Sequence, residues 1–312
     1  VIGSFDRLGF ARHRRHFAPA DLDVDLTGRT CLVTGANAGL GRATALALAW
    51  RGATVHLLCR DAARGEAARD ELRRVTGSSR IELAVVDVSD LASVRRFARD
   101  AAPPRVDVLV HNAGVLPDRR VLTADGFELT FATHVAGPHL LTHLLEGALR
   151  ASDDARVIFV SSGGMYARRL DLVDLDWAAR PYDGVLAYAE TKRMQVVLAR
   201  RWADRLAGSP VSAYAMHPGW ADTGGVRRSL PRFHALTRRV LRSPEEGADT
   251  IVWLCAKSPA PPAGGFWFDR AERPTHTLPW TRERPGDAQR LWELCERLAT
   301  PAPEATPPSP AL

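Results

Sequence analysis

The sequence predicts a doubly wound α/β fold, a parallel sheet of about seven strands with helices on both faces. Three observations carry this. Short apolar, β-branched runs alternate with longer Ala/Leu/Arg segments of helical period. Their spacing is regular from residue 28 to about 270, and each intervening segment is long enough for a crossover helix. A glycine-rich turn leads from the first run into the first helical segment.

Taken in chain order, residues 1–27 read as a basic N-terminal extension. Over its first 20 positions Arg7, Arg12, Arg14 and Arg15 stand against Asp6 alone, and Ile2, Phe5 and Leu8 give it an apolar side expected to dock on the domain. Runs 30–34, 54–59, 81–86, 106–110, 156–161 and 211–216 read as buried strands, with GFWFD at 265–269 as a seventh, edge strand. Residues 287–298 read as a terminal helix with Leu291, Leu294 and Leu298 on one face, and the Pro-rich 301–312 as a disordered tail. No linker interrupts 28–300, which reads as one domain.

Composition removes several classes of protein. A chain of 312 residues with 46% hydrophobic and 25% charged residues is neither disordered nor collagen-like. It lacks a run of 18 apolar residues and an apolar leader, so no membrane span and a cytoplasmic location are expected. The four cysteines, Cys31, Cys59, Cys255 and Cys295, lie far apart and read as small buried thiols. Six arginines and no acid occupy 225–244, but neither basic stretch interleaves several aromatics, so nucleic acid is not expected as a partner.

The first strand ends in TGANAGLG, residues 34–41. Gly35, Gly39 and Gly41 supply a tight turn, close approach of a pyrophosphate and close packing of helix on strand, while Asn37 and Leu40 complete the turn. Backbone N–H groups at the following helix start then face an anion, as in a Rossmann dinucleotide site. At the end of the second strand the chain reads Cys59-Arg60-Asp61, with cysteine where an acid would hold the ribose hydroxyls of NAD. Arg60 can grip a 2′-phosphate with two hydrogen bonds, which favours NADP(H) over NAD(H); Asp61 remains the competing acid.

Tyr188 and Lys192 stand four apart in YAETK ahead of a helical stretch, so they share a helix face one turn apart. A nearby ammonium lowers the pKa of a phenol and fits it for acid-base work. With TGANAGLG, Asp87-Val88, HNAG at 111–114, Ser161-Ser162, YAETK at 188–192 and HPGWADT at 217–223 in this order, the chain resembles the short-chain dehydrogenase/reductase family. The resemblance runs from about 28 to 280 and is to the retinol-dehydrogenase-related kind. VSSGGM (160–165), HPGWADT and DRAERPTHTLP (269–279) are most similar to its dehydrogenase/reductase member 12 branch.

The resemblance implies a fold, a reaction and roles. Tyr188 would exchange a proton with the substrate oxygen, and Ser162 would hydrogen-bond that oxygen. Lys192 would hold the nicotinamide ribose and depress the Tyr188 pKa. Asp87 and Val88 would meet the adenine, while Asn112, Ala113 and Gly114 would line the cofactor. Pro218, Gly219 and Thr223 would hold the nicotinamide end. The chain departs from the family at His111, where asparagine is usual, and at His134, where the family's helix asparagine helps hold a water linked to the lysine. Proton delivery through Lys192 is therefore an open point.

Segment 224–243 falls where the family keeps its substrate lid, and Val226, Leu230, Phe233, Leu236 or Thr237, and Val240 recur at roughly helical spacing. It reads as a lid helix with solvated arginines; a rival reading gives it an acidic ligand or peripheral contact with an anionic membrane. Residues 163–187, between Ser162 and Tyr188, suggest a deep pocket for an apolar carbonyl or alcohol, with Met165, Tyr182 and Trp220 as candidate wall residues. His139 and His143 have metal-ligand spacing, but no third ligand is in sequence reach and no metal is expected. G-x-S-x-G is absent. A nucleotide-binding sensor or scaffold that has lost turnover, and a C=C reductase, remain alternatives, and a homo-oligomer is left open.

Overall fold

The computed structural model describes residues 4–229 and 231–299. Its strands are β1 (Thr30–Thr34), β2 (Thr54–Cys59), β3 (Ile81–Val85), β4 (Val108–His111), β5 (Ala155–Val160), β6 (Val211–Met216), β7 (Phe266–Phe268) and β8 (Ala271–Glu272). Its helices are α1 (Arg7–Arg14), α2 (Gly39–Trp50), α3 (Ala62–Thr76), α4 (Leu91–Asp100), α5 (Leu129–Phe131) and α6 (Gly137–Leu144). They continue with α7 (Glu146–Arg150), α8 (Gly184–Arg205), α9 (Gly224–Ser229), α10 (Pro231–Thr237), α11 (Pro244–Ala256) and α12 (Asp287–Ala299). A five-residue π-helical stretch, Ala132–Ala136, joins α5 to α6.

The strands form one sheet in the order β3-β2-β1-β4-β5-β6-β7-β8, parallel up to β7. Strand β1 pairs with β2 on one side and β4 on the other, so the order reverses between β1 and β4 and opens a crevice at their carboxyl ends. Alternation along the strands supplies a core on each face. Leu32, Leu109 and Phe159 face α4, α6, α8 and α12, while Cys31, Val33, Val108, Val110 and Ile158 face α2, α3 and α11. Helix caps follow sequence: Asp61, Asp90 and Asp183 each accept N–H bonds of the helix they start, and Ser243 with Glu246 forms a capping box.

Three expectations change. The sheet has eight strands, and β7 is not its edge: the chain turns at Asp269-Arg270, both at positive φ, and adds β8 antiparallel. The lid is two short helices rather than one, broken at Pro231, and Leu236 points outward at 88% exposure instead of covering a pocket. Its arginines are not all solvated. Arg242 is buried and pairs with both carboxylate oxygens of Asp269 at 2.6 and 2.8 Å, while Arg227 lies 3.8 Å from Asp222. The acids that the segment lacks come from neighbouring elements.

Arg242 also ties down the N-terminal segment. Its guanidinium donates to the carbonyls of Ser4, Asp6 and Pro218 and lies over the rings of Phe10 and Phe268. Phe5 is buried edge-on against His217, Trp220 and Phe268. Leu8, by contrast, is exposed, and Ile2 and the Pro-rich 301–312 lie outside the described residues. All four cysteines are buried and unpaired. No described helix is long and apolar enough to cross a membrane.

Candidate active site

The glycine turn forms the first wall of the crevice. Gly35 and Gly39 sit at φ +65° and +53°, a left-handed conformation that favours glycine. A Cβ at Gly41 would lie 2.5 Å from Gly35 O and Asn112 Nδ2, so only glycine lets α2 start this close to the strand ends. Helix α2 has Ala38 at its N-cap with no side-chain cap, and no acid in its first turn. Its first N–H groups and positive dipole end are thus left for an anion. Asn112 closes the far side by donating Nδ2–H to Thr34 O at 2.9 Å, which welds the end of β4 to the end of β1.

At the end of β2 the three residues divide. The Cys59 side chain is buried near the Ala36 and Asn37 N–H groups, and burial pushes its thiol up to about 11. It cannot stand in for an acid. Asp61 is occupied as the N-cap of α3, accepting Arg64 N–H at 3.0 Å. Arg60 is exposed, with no ion pair or side-chain hydrogen bond among the described residues. Asp87 spends Oδ1 on the Ser89 N–H and hydroxyl, and Val88 is buried with its carbonyl against Gly137, where any Cβ would overlap it. Gly219 is at φ +79° and packs on the Arg242 guanidinium, and Thr223 lies against Gly39. Of these positions, Thr223 is the one that meets the glycine turn directly.

Tyr188, Lys192 and Ser162 meet beside Gly114, at the end of β4. Asp183 starts α8 by accepting the Val185 and Leu186 N–H groups, and Gly184 is required because a Cβ there would overlap the Pro117 carbonyl. The start of α8 is thereby fixed, and Tyr188 follows one turn in. Ser162, just past β5, lies close enough to the Tyr188 hydroxyl to lower its pKa, while its Oγ accepts the Gly164 N–H. The Lys192 ammonium lies 5.3 Å from the Tyr188 ring centre and donates to Val160 O at 2.8 Å and Gln195 Oε1 at 2.9 Å. Only 3% of Lys192 is exposed, and burial brings its pKa down to about 7.

The expected depression of the Tyr188 pKa is not found. Burial raises it, and the nearby Ser162 hydroxyl offsets this only in part. A half-charged lysine directed at a carbonyl and an amide does little for a phenolate. In this state the phenol is the stable form.

His134 differs from expectation as well. It is wholly buried on the π-helical stretch, a distortion frequent at functional sites. Its Nε2 accepts the Val115 N–H at 3.0 Å and its Nδ1 lies 2.8 Å from Thr191 Oγ1. Both ring nitrogens are spent on protein, so it does not hold a water for Lys192 as an asparagine would. Burial, with the nearby Lys192 charge, keeps the ring neutral by holding its pKa well below the usual histidine value. His111 turns the other way, to Thr142 Oγ1 at 2.7 Å beneath α6.

Of the candidate wall residues, Met165 is fully buried, Tyr182 spends its hydroxyl on buried Glu128 at 2.9 Å, and Trp220 is half-buried against Phe5. His139 and His143 converge on Glu296, at 3.1 and 3.7 Å, a partner the sequence reading missed. His139 packs against Trp202 and Trp292, and no metal-holding cluster occurs among the described residues. Sequence reasoning also missed Thr191, Glu190 and Gln195. Gln195 carried a usable signal, a lone amide inside the apolar MQVVLA three residues after Lys192. Glu190, between the tyrosine and the lysine, is buried and pairs with Arg168 and Arg180 at 2.7 Å each, which pins segment 163–183 to α8.

Comparison with known proteins agrees with this geometry. The family described as short chain dehydrogenase matches residues 29–232. The chain is 43% identical over 303 residues to human dehydrogenase/reductase SDR family member 12, covering 96% of this chain and 95% of the relative. It is 36% identical to human retinol dehydrogenase 12, over 88% of both chains. Among solved structures, an uncharacterized protein from Mycobacterium paratuberculosis superposes with a TM-score of 0.69 at 34% identity, covering 88% of this chain and 95% of that one.

Proposed function

The chain belongs to the short-chain dehydrogenase/reductase family of NAD(P)-dependent oxidoreductases, and from that premise we propose that it interconverts a carbonyl and an alcohol on an apolar substrate, using NADP(H) in preference to NAD(H). The observation that carries the reading is the meeting of Tyr188 and Ser162 with Lys192 beside Gly114, at the end of β4.

The crevice suits a dinucleotide. An uncapped helix start, a glycine whose Cβ would block the turn, and an arginine free at the end of β2 match a pyrophosphate and a 2′-phosphate. Gly35, Asn37, Gly39, Leu40 and Gly41 would hold the pyrophosphate and Arg60 the 2′-phosphate. Asp87 and Val88 would meet the adenine, and Asn112, Ala113, Gly114, Pro218, Gly219 and Thr223 would line the rest. When bound, the nicotinamide supplies or accepts the hydride.

The chain's own groups handle the proton. Ser162 orients the substrate oxygen beside the Tyr188 hydroxyl. Because burial keeps that hydroxyl protonated at neutral pH, it is ready to give its proton to a carbonyl oxygen under reduction. Lys192, with a pKa of about 7, changes charge near neutrality 5.3 Å from the Tyr188 ring centre, where it would hold the nicotinamide ribose. Two points support an apolar substrate: the folded segment 163–183 beside α8, and the name of the retinol dehydrogenase relative.

The test is a fluorescence titration with NADPH and NADH on the native chain and on Arg60→Ala. Tenfold tighter NADPH binding, lost in the variant, corresponds to about 1.4 kcal/mol from the phosphate contact. Equal binding of both nucleotides by the native chain refutes the preference.

A further inference from the structure

The hydrogen bonds around His134 fix more than its charge. Val115 N–H can only donate, so His134 Nε2 must present a lone pair to it at 3.0 Å. Thr191 has one hydroxyl proton, and its Oγ1 lies 3.0 Å from both Ala187 O and Tyr188 O, acceptors that take that proton. Toward His134 Nδ1, at 2.8 Å, Thr191 must therefore accept, and Nδ1 must carry the hydrogen. Both ends demand the same neutral tautomer. A second proton would set an N–H against the Val115 N–H, donor against donor. The charged or titratable groups facing the ring are Lys192 and Tyr188, both from α8, and neither accepts that proton.

The ring stands at a junction. On one side is the Gly114-Val115 backbone that follows β4; a Cβ at Gly114 would lie 3.3 Å from His134 Nε2 and 3.8 Å from Lys192 Nζ. On the other is the turn of α8 that carries Tyr188, whose ring meets His134 edge to face at 5.3 Å. We propose that His134 is a positioning residue that latches the 112–115 loop to the Tyr188 turn, with its two nitrogens serving different steps: Nε2 sets the loop for nucleotide binding, and Nδ1, through Thr191, sets Tyr188 for proton transfer. The latch relays no proton. It rests on the reading of 112–115 as a loop that lines the nucleotide.

The two nitrogens can be removed separately. An asparagine amide ends where Nδ1 lies and a glutamine amide reaches where Nε2 lies. His134→Asn keeps the Thr191 bond and loses the Val115 bond; its Kd for NADPH rises about tenfold and its kcat changes less than threefold, the scale set by one buried hydrogen bond. His134→Gln does the reverse, holding NADPH within twofold of the native chain and losing about tenfold in kcat. Neither variant removes a limb from the pH profile between about pH 5 and 8.

Imidazole 15N shifts of the native, ligand-free protein test the premise without any variant, and the Nδ1–H tautomer across that range is expected. Loss of a pH limb in either variant makes His134 a relay, and equal losses in Kd and kcat in both reduce it to packing; either result overturns the latch. The Nε2–H or doubly protonated form, in a protein that binds NADPH, overturns the latch alone. The Nδ1–H form in a chain that binds no NADPH overturns the nucleotide reading and the latch's function with it.

Discussion

Lys192 is stored in the fold at a cost, and replacing it with methionine measures that cost. An exposed lysine holds its proton up to 10.5, whereas burial brings Lys192 to about 7. At 1.36 kcal/mol per pH unit, the gap makes the folded state about 5 kcal/mol less stable below pH 7 than it would be were this group neutral. The sign follows from proton counting. Between pH 7 and 10.5 the unfolded chain binds this proton and the folded chain has released it, so native stability climbs with pH there. Lys192→Met lacks the group and lacks the climb. It also strands Val160 O and Gln195 Oε1, a loss of about 1–3 kcal/mol that does not vary with pH.

The slope is thus cleaner than the absolute difference. Urea unfolding of both proteins without nucleotide, at steps from about pH 7 to 9.5, should show the variant's relative stability shrinking by about 1.4 kcal/mol per unit. Stopping there keeps the Tyr188 phenol, with its raised pKa, from titrating. Parallel curves over that window would mean that Lys192 does not titrate near neutrality, and the argument from burial would fail.

Two further outcomes are expected. Glu190→Gln weakens both arginine contacts that hold segment 163–183, so KM for a bulky carbonyl should rise several-fold with NADPH affinity unchanged, at a stability loss of about 1–3 kcal/mol; unchanged KM in steady-state kinetics argues against that segment shaping the pocket. The chain should also be acid-sensitive. Burial holds His111, His139 and His217 neutral down to about 3, against 6.5 when exposed, so each costs the fold about 1.4 kcal/mol per pH unit below 6.5. Stability that stays level from about pH 6.5 to 4.5 in denaturant titrations would refute this.

Fold and site were legible to different depths. Strands buried on both sides, such as β1, β2 and β6, stood out as apolar runs, and their ends agree with the sequence reading to the residue. The two-residue β8 exists only because Asp269 and Arg270 turn the chain, a backbone event with no hydrophobic period behind it. Tyr188, Lys192 and Ser162 were placed by motif, but what their surroundings do was hidden. Depression of the Tyr188 pKa was argued from helical spacing alone, and spacing says nothing of burial, which has the larger effect here. Likewise the arginine count around 225–244 ignored Asp269, 27 residues beyond Arg242, and so mistook a buried ion pair for a solvated charge. Partners distant in sequence, as for His134 with Val115 and Thr191, come from tertiary packing.

The central claim is that Tyr188 is the proton donor in an NADPH-coupled carbonyl reduction. Its most direct test is NADPH oxidation by the native chain and by Tyr188→Phe, over a panel of apolar aldehydes and ketones, with NADPH affinity measured alongside. The account expects turnover from the native chain and a loss of about a thousandfold or more in the variant at unchanged affinity. A native chain that binds NADPH but reduces nothing, or a Tyr188→Phe chain that still turns over, would contradict it.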